Sequence, residues 1–169
     1  MNVIETERLS LRELSEADAE FVLKILNDPG FVRFVGDRGV RTVEDAARYI
    51  DERFVESYRQ HGFGMWLVET KAEGVPAGIC GLLNRGTLPG VEVGYSLLPP
   101  FRGKGYAFEA ASAALSHARE VLGLPRLYAI VNPDNAVSIR VLEKLGMKFE
   151  RMLRLPGEES DVKLFSTDL

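Results

Sequence analysis

Val91-Glu92-Val93-Gly94-Tyr95-Ser96-Leu97-Leu98-Pro99-Pro100-Phe101-Arg102-Gly103-Lys104-Gly105-Tyr106-Ala107 runs from a short apolar strand, past a double proline and two glycines, into a helix. Such a junction suits an anion. The first turn of a helix leaves backbone N–H groups without intrahelical partners and carries the positive end of the dipole, which together attract phosphate oxygens. Gly103 and Gly105 lack the Cβ that would hold a phosphate off the backbone, and Arg102 and Lys104 add charge at the rim. Glycine pairs also serve as plain turns, so the loop has to be judged by its context.

That context excludes two well-known phosphate loops. A P-loop requires Ser or Thr after Gly-Lys, whereas Lys104 is followed by Gly105, and a dinucleotide fingerprint requires a small residue where Phe108 stands. The next strand ends at Asn132, not at the Asp or Glu that binds a ribose, and the strands before the loop look antiparallel.

Outward from the junction, periodicity places the other elements. Arg8 to Leu14 alternates as a half-buried strand, Phe21, Val22, Ile25 and Leu26 form a helical stripe that stops at Pro29, and Ala46, Ala47, Ile50 and Phe54 mark a second helix from Thr42 to about Tyr58. Gly30 to Arg41, with mixed Phe and Arg, reads as a mobile connection. Met65 to Thr70, Ala77 to Leu83 and Val91 to Leu98 are three consecutive antiparallel strands separated by turn residues. A helix from about Lys104 to Leu122 carries alanines on one face and stops at Gly123. A buried strand at Leu127–Val131 follows, then a helix over 135–145 and a closing pair at Phe149–Leu155 and Val162–Thr167. With no repeat and no linker, residues 1–169 read as a single α+β domain around one sheet.

Composition narrows the partners. With 46% hydrophobic and 27% charged residues the chain buries a core, and a net charge of -4 argues against nucleic acid. No apolar run approaches the ~20 residues needed to span a bilayer, so no membrane partner is expected. The single cysteine and the absence of a secretory signal point to a cytoplasmic protein. Cys80 lies among small apolar residues and reads as a buried hydrophobe, while His61 and His117 are isolated, so no metal site is expected.

The order and spacing of several short motifs are more specific than any one of them. Thr6-Glu7-Arg8-Leu9, Glu92-Val93-Gly94-Tyr95, the glycine loop with Glu109-Ala110, and Asn135-Ala136-Val137-Ser138 leading to Leu142-Glu143-Lys144-Leu145-Gly146-Met147 together resemble the Gcn5-related N-acetyltransferase (GNAT) family, in its ribosomal-protein N-terminal acetyltransferase branch. Arg102, Gly105 and Ala107 match the family's pyrophosphate loop, and Met147 stands where the branch usually has Phe. The resemblance implies a mostly antiparallel central sheet flanked by helices and splayed between strands 91–98 and 127–131, with the pantetheine of acetyl-CoA in the gap. The cofactor residues it implies are Leu97 and Leu98 through their backbone, Arg102, Gly103, Lys104, Gly105, Tyr106 and Ala107 in the loop, and Asn132, Asn135 and Ser138 beyond it. It also places the 30–41 segment beside the acceptor, and a homodimer is left open as a partner assembly.

Two residues are assigned to chemistry. Glu92 is an acid in an otherwise apolar strand, with Val91 and Val93 directed to the other face, so it is a candidate general base as well as a salt-bridged sheet residue. Glu69, at a strand end, is a weaker candidate. Ser138 is the candidate acid for the departing thiolate, and Tyr95 and Tyr106 read mainly as packing aromatics. The implied reaction is direct acetyl transfer from acetyl-CoA to a primary amine, such as a peptide N-terminus. The rivals are a CoA-binding sensor without turnover and an acetyltransferase of drugs or polyamines, which shares the cofactor site and differs in its acceptor.

Overall fold

The computed structural model describes residues 2–169. Eight strands form one sheet in the order β1-β2-β3-β4-β5-β6-β8-β7. They are β1 (Asn2–Glu5), β2 (Leu9–Glu13), β3 (Met65–Thr70), β4 (Pro76–Leu83), β5 (Glu92–Leu97), β6 (Arg126–Val131), β7 (Lys148–Leu153) and β8 (Val162–Asp168). Every neighbouring pair is antiparallel except β5 and β6. The helices are α1 (Ala19–Leu26), α2 (Pro29–Phe34), α3 (Val43–Tyr49), α4 (Glu56–His61), α5 (Tyr106–Glu120) and α6 (Ala136–Lys144). This is the mixed α+β, mostly antiparallel arrangement expected from the sequence.

Alternation along the strands separates two cores. On one face Leu9, Leu11, Trp66, Val68, Cys80, Leu82 and Val93 pack with Ala110, Ala111, Ala114 and Ala118 of α5 and Leu142 of α6. On the other, Met65, Leu67 and Ile79 pack with Val22, Ile25, Leu26, Phe31, Ala46, Ile50 and Phe54. The four α5 alanines are fully buried, which brings the helix backbone close to the sheet and fixes where its first turn lies. Cys80 is buried in the first core, where desolvation pushes its thiol up to about 12.

Three local features depart from the sequence reading. β1 precedes the strand expected first and pairs with it. Residues 30–34, expected to belong to a mobile connection, instead form with Pro29 the helix α2, because Pro29 occupies the first turn and Asp28 caps it, accepting from the amides of Gly30 and Phe31. The helix that Thr42 caps widens to π geometry over Ile50–Val55 before continuing as α4.

Enlarging one α5 alanine tests how closely this helix is seated. Ala114→Leu should lower the unfolding free energy in urea by about 1–3 kcal/mol, the usual cost of overpacking a filled core. An unchanged midpoint would mean that the helix sits farther from the sheet.

Candidate functional site

β5 and β6 run parallel but register at one position, Glu92 opposite Tyr128, where Tyr128 N–H donates to the Val91 carbonyl at 3.0 Å. Beyond that point the two strands part. On its other side β5 stays bonded to β4 along its length, so backbone groups of β5 that point toward β6 lose their strand partner. Leu98 N–H donates to Ala77 on β4, and the Leu98 carbonyl accepts from Phe101 N–H. Of the two residues expected to meet pantetheine, Leu98 therefore has both backbone groups engaged, and Leu97, one position earlier, points the opposite way, into the gap.

The loop after β5 returns through Pro99–Phe101 to Gly103 and Gly105, both left-handed at φ 75° and 82°. A side chain at either position would be strained. Intrahelical bonding in α5 begins with Glu109 N–H to the Gly105 carbonyl, which leaves the amides of Tyr106, Ala107 and Phe108 without helical acceptors. A Cβ-free turn beneath unpartnered amides fits a pyrophosphate. Lys104 is exposed beside it.

Arg102 has a different setting from the one expected. Its side chain is 45% exposed, and its guanidinium donates from Nη2 to Asp28 Oδ2 at 2.6 Å and from Nε to the Leu97 carbonyl at 3.0 Å. Its charge is thereby matched by an acid that is almost fully buried and also caps α2. Rim charge falls to Lys104, while Arg102 ties the loop to the gap-facing backbone of Leu97 and to the helix on the opposite face of the sheet.

Glu92 sits where β5 and β6 meet, with its residue 2% exposed. Arg85 Nε and Nη2 donate to its two oxygens at 2.6 and 2.9 Å. Burial pushes this carboxyl above the ordinary carboxylate range, and Arg85 opposes the shift without cancelling it. Glu92 thus lies at the closed end of the gap and is salt-bridged as well. Glu69, the weaker candidate, pairs with Arg12 at 3.0 Å on the far side of β3 from β5.

Across the gap, Asn135 caps α6, its Oδ1 accepting from Ser138 N–H at 3.2 Å, and Asn132 forms a turn by accepting from Asp134 N–H at 2.8 Å. Tyr95 reaches over from β5. Its hydroxyl lies 2.9 Å from Ser138 Oγ and donates to the Ser138 carbonyl at 3.2 Å. Desolvation pushes the Tyr95 phenol up to about 12, so it remains protonated at neutral pH. Glu92 and Ser138 approach from opposite faces, because Tyr95 shares the face of Val93 while Glu92 points with Leu83 to the other.

Residues 8–148 match the model of the acetyltransferase (GNAT) domain. The chain is a GNAT acetyltransferase. The uncharacterised N-acetyltransferase YoaA of Bacillus subtilis is 30% identical to it over 155 residues, covering 90% of this chain and 86% of the relative. Among solved structures, an acetyltransferase from Agrobacterium tumefaciens superposes with a TM-score of 0.81 at 27% identity, covering 97% of this chain and 92% of that one. The ribosomal L7/L12 alpha-N-protein acetyltransferase RimL in complex with coenzyme A reaches a TM-score of 0.84 over 100% of this chain and 98% of its own, with 17% identity, a likeness of fold alone. The acetyltransferase is accordingly an acetyl-CoA-dependent acyltransferase, and none of its helices is long and apolar enough to cross a membrane among the described residues.

Sequence reasoning missed Arg85 and Asp28 in the acetyltransferase. The Asp28-Pro29 pair at the end of α1 carried a cap signal for α2, but the partnership with Arg102 spans 74 positions and leaves no local trace. The two jobs of Asp28 separate by substitution. Asp28→Asn keeps an acceptor for the α2 amides and loses the ion pair, whereas Asp28→Ala loses both. Urea melts should place the alanine variant about 1 kcal/mol below the asparagine variant, the cost of an N-cap. Equal midpoints would mean that the cap contributes nothing.

Proposed function

We propose that the protein transfers the acetyl group of acetyl-CoA directly to a primary amine, with a peptide N-terminus as the acceptor class. The observation that carries this reading is the parting of β5 from β6 after one residue pair, with an acid at its closed end, a hydroxyl pair on its other wall and a phosphate-compatible loop after β5. An α-amine, with a pKa of ~8, costs less to deprotonate than a lysine side chain at ~10.4, which favours the N-terminus as acceptor.

In this reading the loop residues Gly103, Lys104, Gly105, Tyr106 and Ala107 hold the pyrophosphate, Arg102 braces them, and Leu97 offers its gap-facing backbone to the pantetheine. Asn132 and Asn135 shape the turn that carries Ser138 alongside. Glu92 accepts the amine proton, directly or through water. A carboxylate has about four acceptor sites, of which Arg85 takes two, so the others remain for the amine or its water. Ser138 donates to the departing thiolate, and Tyr95 holds the hydroxyl in place from the opposite wall. No covalent enzyme intermediate is required.

The direct test mixes the protein and acetyl-CoA with a panel of peptide α-amines, lysine-containing peptides with blocked N-termini, polyamines and aminoglycosides, and follows CoA release. Peptide α-amines should give the fastest turnover. Tight acetyl-CoA binding with no release from any amine would establish the sensor instead.

The pH profile tests Glu92. Activity needs the ionised carboxylate, so kcat/KM should fall as pH drops through a pKa lying above the ordinary carboxylate value of ~4.3. Glu92→Gln should lose about 10²-fold near neutral pH and recover at high pH, where the amine arrives deprotonated. A deficit constant with pH would make Glu92 a structural residue. For Ser138→Ala, kcat should fall more than acetyl-CoA affinity, since its hydrogen bond strengthens only as charge develops on sulfur. Parallel losses would reduce Ser138 to a binding contact.

A further inference from the structure

Thr6-Glu7-Arg8-Leu9 joins β1 to β2 and has no part in the chemistry assigned above. In space it grips the first turn of α5. Thr6 Oγ1 and Arg8 N–H donate to Glu109 Oε2 at 2.6 and 2.9 Å, and Arg8 Nε donates to Glu109 Oε1 at 2.6 Å. Arg8 Nη1 donates to the Lys104 carbonyl at 2.8 Å, and the guanidinium carbon lies 4.6 Å from the centre of the Tyr106 ring. Arg8 also approaches the next residue closely, since a Cβ on Gly105 would come within 3.2 Å of its Nη2.

Peptide geometry gives these contacts a consequence. In a trans peptide the C=O and the N–H that follows it point to opposite sides. An arginine that holds the Lys104 carbonyl therefore turns the Gly105 N–H away from itself. The same guanidinium counters the Glu109 carboxylate, which would otherwise place a negative charge in the first turn of α5, beneath a bound anion. Burial pushes that carboxyl up, but the Thr6 hydroxyl and the amide and guanidinium of Arg8 together hold it below its ordinary range, so it is ionised at neutral pH.

We propose that Arg8 is a positioning residue of the cofactor loop, fixing the Lys104–Gly105 peptide so that the Gly105 N–H is presented to a pyrophosphate oxygen. Its two-point grip, on a carbonyl and a carboxylate at once, is what a planar guanidinium supplies and an ammonium does not. The proposal rests on reading the glycine loop as the pyrophosphate seat.

Calorimetric titration of the full chain with CoA, 3′-dephospho-CoA and pantetheine tests it, using Arg8→Ala, Arg8→Lys and, as a control on the loop, Gly105→Val. Arg8→Ala should weaken CoA and dephospho-CoA alike by about tenfold, the size of one charge-assisted hydrogen bond, and leave pantetheine unchanged. Arg8→Lys, which keeps the charge and the surface position, should remain nearly as weak as the alanine variant. Restoration by lysine would overturn the proposal, since charge alone would then suffice. So would a loss confined to CoA, which would make Arg8 a contact of the 3′-phosphate, or a loss shared by pantetheine, which would make it a general fold residue. If Gly105→Val weakens CoA binding while Arg8→Ala does not, the Arg8 inference fails and the loop reading survives. If neither weakens it, the loop reading fails as well.

Discussion

Parallel strands that meet at one residue pair and then diverge leave interior backbone with no neighbour to bond. Buried amides and carbonyls without partners are costly, so a sheet opened in this way has to close the account with something other than a strand. Here Arg102 supplies one bond, its Nε reaching the Leu97 carbonyl, and an extended ligand lying between β5 and β6 would supply more. The opening persists because each strand is secured on its far side, β5 by β4 and β6 by β8, and because α5, seated on fully buried alanines, starts immediately after β5 ends. The gap is therefore a property of the whole sheet rather than of the residues lining it.

Around that gap three arginines do similar work. Arg85, Arg102 and Arg8 each pair with an acid, Glu92, Asp28 and Glu109 respectively, and in each case the acid is the more buried partner. An acid removed from water needs compensation, and an arginine offers it through fixed, directional bonds while keeping part of its guanidinium free for a second partner. Arg102 and Arg8 use that second valence on main-chain carbonyls at the two ends of the loop segment, Leu97 and Lys104. Loop conformation is thus held from within by Arg102 on Leu97 and from outside by Arg8 on Lys104 and Asp28 on Arg102.

The parts of this arrangement that repeat along the chain were legible in the sequence. Alternation over 8–14, the short apolar runs at 65–70, 77–83 and 91–98 bounded by turn residues, and the alanine face of α5 are all local patterns, and the glycine loop stood out by its place between a strand and a helix. Short or irregular elements were not legible. Four residues of β1 carry too little pattern to detect, α2 was hidden because Pro29 marks both the end of one helix and the start of the next, and the π turn at Ile50–Val55 shifts the helical phase by a residue that no periodicity announces. Within the site, residue types were readable and partners were not. Glu92 was identified as an unusual acid, but Arg85 gave no sign of being its partner, and the Arg8–Glu109 contact joins residues 101 positions apart.

The burial of Cys80 gives this molecule an analytical advantage. Its only sulfhydryl lies in the core beneath α5, desolvated and held in the unreactive thiol form. Disulfide reagents added to the folded protein consequently meet one kind of thiolate, that of coenzyme A released on acetyl transfer, and the colour they develop counts turnovers without background from the enzyme. The same reagent becomes a conformational probe once the core opens, because a single equivalent of protein thiol then appears and marks global unfolding.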